Sequence, residues 1–180
     1  VAYINAAVSG NFAKLLVRVN DGTDPGLADF LSTGSGNPVL HTVDAGTIDT
    51  PALQDITITA NPNLFSWSQL DSLSQKKVTT VSTNNVGGNL VMDPDTFFGD
   101  GGGSSSADDK GLFALANEKT KIDFLIAFSG ITQGDRVLYG SGYITNLAPA
   151  VSADAPVWVS PFTIEVDGDY TVATLGATIS

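Results

Sequence analysis

The chain has 180 residues, no cysteine and one histidine, with 42% hydrophobic and 15% charged residues. That length supports a single domain (1–180) with a sizeable core, and the missing cysteines exclude disulfides and thiolate metal sites. Nineteen acids against eight Lys and Arg give a formal charge of −11, which excludes tight binding of free nucleic acid, because affinity for phosphates comes from clustered cations.

No apolar run approaches the roughly 20 residues that span a bilayer, so no membrane partner is expected. The first stretch, VAYINAAVSGNFAK, has no basic residue before Lys14 and no hydrophobic centre. It does not read as a signal peptide, and the expectation is synthesis in the cytoplasm with Val1 following a removed initiator methionine.

In chain order, residues 12–19 (FAKLLVRV) read as a first strand, and the turn cluster 20–26 (NDGTDPG) ends it. Residues 27–31 suit one helical turn, 32–37 (STGSGN) a loop and 38–43 (PVLHTV) a short strand. After a second loop at 46–52, Ile56 and Ile58 alternate with threonines in 55–60 (DITITA), and Asn61-Pro62-Asn63 breaks that strand. Residues 64–73 (LFSWSQLDSL) fit either a short helix or an irregular segment. Residues 76–83 are strand-like, and Asn84-Asn85 before Val86-Gly87-Gly88 predicts a turn. Residues 93–107 (DPDTFFGDGGGSSSA) are the least structured, and a loop of that length in a compact domain is usually functional or disordered.

A helix follows over 106–120. Ser106 with Asp109 three residues on resembles a capping box, Leu112, Leu115 and Ala116 share one face, and the acids at its start suit the helix dipole. Ile122, Phe124, Ile126 and Phe128 then alternate with Asp123, Ala127 and Ser129, the pattern of a strand with one face buried. Residues 136–147 and 155–166 are two more strands. Gly140-Ser141-Gly142 predicts a bend in the first, and Pro161 a bulge or an edge in the second. Asp167-Gly168 between alternating apolar residues predicts a tight hairpin. The fold class is therefore mainly β: an antiparallel sandwich or barrel with one short flanking helix and long assembly loops.

Catalytic chemistry is not visible. His41 alternates with Val39 and Val43 and reads as a packed or half-exposed strand residue, not a base or a zinc ligand. The stretch GDGGGSSS lacks the Lys-Ser/Thr end of a phosphate loop and reads as a flexible linker. Asp21-Gly22-Thr23-Asp24, Asp93-Pro94-Asp95 and Asp167-Gly168-Asp169 do not follow a calcium loop, and aspartate favours turns in any case. No pair of acids can be named for glycoside hydrolysis. The chain is read as no enzyme, without metal or cofactor. Phe97-Phe98 is the oddity, two adjacent aromatics in a Gly, Ser and Asp loop. Either one ring anchors the loop, or a ring docks on another subunit.

The order of pieces in the second half resembles the tail tube proteins of long-tailed bacteriophages, a fold shared with the tube of type VI secretion. The residues that carry the likeness are 109–116 (DKGLFALA), 122–130, 140–147 (GSGYITNL) and 157–174. The resemblance implies a structural virion protein whose copies form six-membered rings, stacked into a tube around a tape-measure protein. Tail terminator, baseplate or tip proteins and a sheath are the further partners it implies. It also implies a place in the virion tail after assembly in the host cytoplasm, and transient, non-adhesive passage of DNA at ejection. An acidic bore would repel the phosphate backbone, and Asp93, Asp95 and Asp100 are candidates either for that lining or for contacts between rings. The segment 84–107, with Leu90, Met92, Phe97 and Phe98, is the expected inter-subunit arm. The competing readings are a carbohydrate- or receptor-binding sandwich of a fibre or adhesin, with Trp67, Tyr139 or Tyr143 stacking on sugars, and a capsid decoration protein.

Overall fold

A computed structural model describes residues 13–50, 53–67, 75–92, 94–102, 105–152 and 155–179. Strands β9 (Ile122–Ala127), β10 (Arg136–Leu147) and β12 (Ala155–Val166) pair in succession, all antiparallel, which is the meander expected of the C-terminal third. β1 (Lys14–Val19) lies on the other side of β9, and β4 (Ile48–Thr50) outside β1. On the opposite flank β8 (Thr83–Met92) pairs with β12, and β5 (Leu53–Asn61) with β8. The short strands β11 (Ala150–Ser152) and β13 (Thr171–Thr174) join β12 and β10.

This sheet has to curl. Its two outermost strands, β4 and β5, are joined through residues 51 and 52 alone, so Thr50 and Leu53 lie at most about 11 Å apart. Curling brings Leu15, Val17 and Ile48 from one flank into the same buried cluster as Val86, Leu90 and Phe162 from the other. β4 and β5 do not pair with each other, and the sheet is not a closed barrel.

β9 departs from the one-sided pattern. Ile122, Phe124 and Ile126 enter the cluster inside the curl, but Leu125 and Ala127 are buried as well, in a second cluster with Leu16, Phe30, Leu31, Ile131, Val137 and Leu175. Phe128, expected to continue the buried row, is exposed beyond the strand. The second cover comes from a hairpin of β2 (Leu31–Gly36) and β3 (Val39–Val43), so of the expected loop 32–37 all but Asn37 is strand. His41 N–H donates to the Ile131 carbonyl at 3.0 Å, tying the hairpin down beside the segment that follows β9. His41 itself is buried, with Nε2 3.0 Å from the Gly176 carbonyl.

Two turn signals proved to be close-approach signals. Asn84 to Gly88 lies inside β8, paired on both edges. A Cβ at Gly88 would stand 2.3 Å from the Asp55 carbonyl oxygen and 3.0 Å from a Phe162 ring carbon, so glycine is there to let three strands meet. Asp167-Gly168-Asp169 makes no hairpin, because β12 and β13 do not pair. Both run along the same edge of β10, β12 opposite residues 142–147 and β13 opposite 136–139. The Asp-Gly turn, with Gly168 at φ 106°, is an excursion between two collinear strands. Gly140-Ser141-Gly142 is where β10 passes from one partner to the other. Pro161 is central and not at an edge; it faces the break between β10 and β11, where the Ser160 hydroxyl accepts from the Ala148 N–H at 3.1 Å.

The expected helix forms as α2 (Ala107–Asn117), with the Ser106 hydroxyl at its N-cap and Leu112 and Leu115 buried. It is broken at Gly111, whose φ of 73° takes the left-handed region. A Cβ there would stand 2.3 Å from the Gly99 nitrogen, so the break admits the backbone of the preceding segment.

Gly88→Ala is expected to destabilise the fold by about 1–3 kcal/mol through overpacking, read as a lowered urea midpoint. A second expectation concerns Asp123, buried on β9. Burial pushes its carboxyl above the ordinary 3.8, against the pull of the Asn20 side-chain hydrogen bond and of Arg18. The folded chain then holds this proton more tightly than the unfolded one, so the carboxylate costs stability as pH rises from 3.8 through the raised value. Asp123→Asn should gain on the wild type as pH rises from 3.8 through the raised value, in parallel urea titrations.

Candidate self-assembly surfaces

The ladder of β5 and β8 is interrupted at Asn61-Pro62-Asn63, where proline has no N–H to give. The hairpin nevertheless resumes beyond it. Thr80 N–H donates to the Asn63 carbonyl at 2.8 Å, and the Asn63 amide donates to the Val81 carbonyl at 2.8 Å. Past this hinge, β6 (Leu64–Trp67) and β7 (Lys76–Thr79) form a two-stranded ribbon that belongs to no larger sheet. Every residue of both strands is exposed.

Opposed residues of an antiparallel pair share a face. Phe65 faces Val78 and Trp67 faces Lys76, so one side of the ribbon carries Phe65, Trp67, Val78 and Lys76. The two rings stack with centroids 6.0 Å apart and planes 26° apart. Phe65 is 57% exposed and Val81, at the base, 85%. Two-stranded ribbons are marginal alone in water, and one with an uncovered apolar face is a docking element. Sequence reasoning left 64–73 between helix and irregular chain. The signal it passed over is the alternation of LFSW facing KKVT across a polar centre.

The second surface lies at the other end of β8. Phe97 and Phe98 fall on a one-turn helix, α1 (Pro94–Phe98), and not on an extended loop. Phe97 is 5% exposed and joins the core inside the curl, whereas Phe98 is 57% exposed. Phe113 of α2, 49% exposed, completes a triangle of rings with centroids 4.7, 5.3 and 6.3 Å apart. Asp95 on α1, Asp100 just after it and Asp108 on α2 are exposed. Burial, then the charges of Asp100 and Asp109, raise the Asp108 carboxyl above its ordinary value, which marks a crowded acidic rim.

The remaining sequence candidates separate. Leu90 is 1% exposed in the core and Met92 pairs through its backbone with Trp158, so residues 84–92 are sheet and the expected arm is not there. Asp93 lies outside the described residues. Trp67 is on the ribbon while Tyr139 and Tyr143 are on β10, so they build no common sugar platform. Asp21 takes the hydroxyl and backbone N–H of Thr23, which hold its carboxyl below the usual value, as turn chemistry predicts. Asp167 pairs with Lys121 at 2.8 Å. Among the described residues no group of three or more His, Cys, Asp or Glu could hold a metal ion, and no helix is long and apolar enough to cross a membrane.

No protein-family model and no curated protein sequence matches the chain. Solved structures do. A chain of the virion of a native gene transfer agent particle superposes with a TM-score of 0.53 at 12% identity, over 83% of this chain and 99% of that one. The SPP1 tail tube, solved by solid-state NMR and cryo-EM, gives 0.54 at 13% identity, over 93% and 79%. The tail of an empty gene transfer agent particle, with C6 symmetry, gives 0.51 at 12% identity, over 83% and 99%. The fold is the tail-tube fold.

Within that fold the two phenylalanines have opposite duties, one in the core and one at the surface. Phe97→Ala is expected to cost about 3–5 kcal/mol, and Phe98→Ser to change stability by no more than about 0.5 kcal/mol, both measured by urea denaturation.

Proposed function

We propose that this protein is a structural virion subunit that assembles into stacked hexameric rings, forming the tube through which DNA leaves at ejection. The observation that carries this reading is the β6–β7 ribbon: an arm with stacked aromatics whose apolar side is left exposed by the described residues of the folded body. The tail-tube fold supports it, and the C6 symmetry of the similar gene transfer agent tail supports six subunits in a ring. Edge strands left with open hydrogen-bonding groups, β4, β5 and β13, are suited to pairing with neighbours. No chemical step is required of any side chain, so the role is not enzymatic.

Three further elements complete the reading. A formal charge of −11 per subunit, repeated around a ring, gives a bore that repels phosphate and lets DNA slide. A tape-measure protein would fill that bore before ejection, with terminator and baseplate or tip proteins at the ends. The finished subunit would reside in the virion tail.

Electron microscopy of the purified chain is expected to show rings or hollow rods. A chain that sediments as a monomer at all concentrations overturns the reading. Phe65→Ser with Trp67→Ser should leave circular dichroism unchanged, since both side chains lie outside the core, and should abolish the rods.

A further inference from the structure

The two surfaces match one another. The described strands of the ribbon carry Lys76 and Lys77 and no acid, on a chain whose balance is strongly acidic. Exposed acids stand on the same segments as the exposed rings of Phe98 and Phe113, Asp95 on α1, Asp100 just after it and Asp108 at the start of α2, while Lys110 is held by Glu118 at 2.7 Å. One surface is thus aromatic with a positive rim, the other aromatic with a negative rim. Such a pair is steered together by its charges and anchored by its rings.

Their placement decides which copy meets which. The ribbon leaves the body at Thr83, where β8 begins, and α1 starts two residues after Met92, where β8 ends. Ten extended residues put these points about 30 Å apart. Counting residues 80–82, the described ribbon extends about 23 Å beyond Thr83, and it departs from the far end. The ribbon therefore does not reach the patch of its own chain. Two complementary surfaces at opposite ends of one strand make a head-to-tail contact, and one that relates copies by translation along that strand does not close into a ring but repeats along a line.

We infer that the β6–β7 ribbon of one subunit docks on the Phe98–Phe113 patch of a second copy of this chain, and that this contact joins one ring to the next. Phe65 and Trp67 lie against Phe98 and Phe113, Lys76 on the same side meets Asp95, Asp100 and Asp108, and Lys77 on the opposite side adds positive charge to the ribbon. Asp95 and Asp100 then belong between rings and not to the lining of the bore. The inference rests on the tube reading above and names the partner surface within it.

The test uses full-length chain. Lys76→Glu with Lys77→Glu, and separately Asp95→Lys with Asp100→Lys, should each raise the concentration for rod formation about tenfold or more, leaving single rings in micrographs. Combining all four substitutions should restore rods. In parallel, benzoylphenylalanine in place of Phe65 is photolysed in a mixture with isotope-labelled wild-type chain, and the adducts are mapped by mass spectrometry. The expected adducts fall in residues 94–117 of the labelled copy. Rods unaffected by the charge reversals, no restoration in the combined variant, or adducts elsewhere overturn the contact while leaving the tube intact. Wild-type chain that forms neither rings nor rods overturns the tube reading itself, and the contact with it.

Discussion

Both faces of β9 are dry, and a strand with no solvent side needs one layer above it and another below. Ile122, Phe124 and Ile126 face the interior of the curl, where Leu112 and Leu115 of α2 and Val86 and Leu90 of β8 meet them. Leu125 and Ala127 face outward to the hairpin β2–β3 and to Leu175 near the C-terminus. Residues from both ends of the chain are thus recruited to one strand. Asp123, alone among its buried neighbours in carrying a carboxylate, is tolerated because Asn20 hydrogen-bonds it and Arg18 stands 4.0 Å away.

The curl of the sheet follows from the same demand. Strands β8 and β12 cover the inner face of β9 only if the sheet bends back over itself, and the two-residue link from β4 to β5 holds its edges together. Glycines make the bend possible where strands crowd. A Cβ at Gly142 would stand 2.2 Å from the Glu165 carbonyl oxygen, just where β10 exchanges one set of partners for another. The resulting body buries two hydrophobic clusters, one on each face of β9, and the ribbon belongs to neither. A chain that buries Leu16, Phe124 and Phe97 this thoroughly has no internal reason to leave Phe65, Trp67 and Val78 in water.

The ribbon and the ring patch lie at the two ends of β8, so the length of that strand, held between β12 and β5, sets the distance between them. In the proposed tube, an acidic body with lysines on its arm separates two tasks that a uniformly charged subunit could not combine: repelling a phosphate backbone and holding a like-charged neighbour.

What the residues dictated by themselves was local. Alternation announced β9, β10 and β12, the Ser106 cap and the Leu112–Leu115 spacing announced α2, and the charge balance with the absence of cysteine confined the chemistry, because each of these depends on neighbours within a few positions. The tertiary structure alone decided the rest. Adjacent Phe97 and Phe98 are equivalent in sequence, and only the break at Gly111, which lets α1 lie against α2, turns one inward and the other outward. Gly87-Gly88 and Asp167-Gly168 carry the composition of turns. Whether such residues reverse the chain or let strands approach depends on what lies opposite, and the opposing strands come from residues 55–57 and 136–147, far away along the chain. The ribbon was hidden for the same reason: exposure is a property of the surroundings, and an amphipathic strand reads alike whether its apolar face meets a core or waits for another molecule.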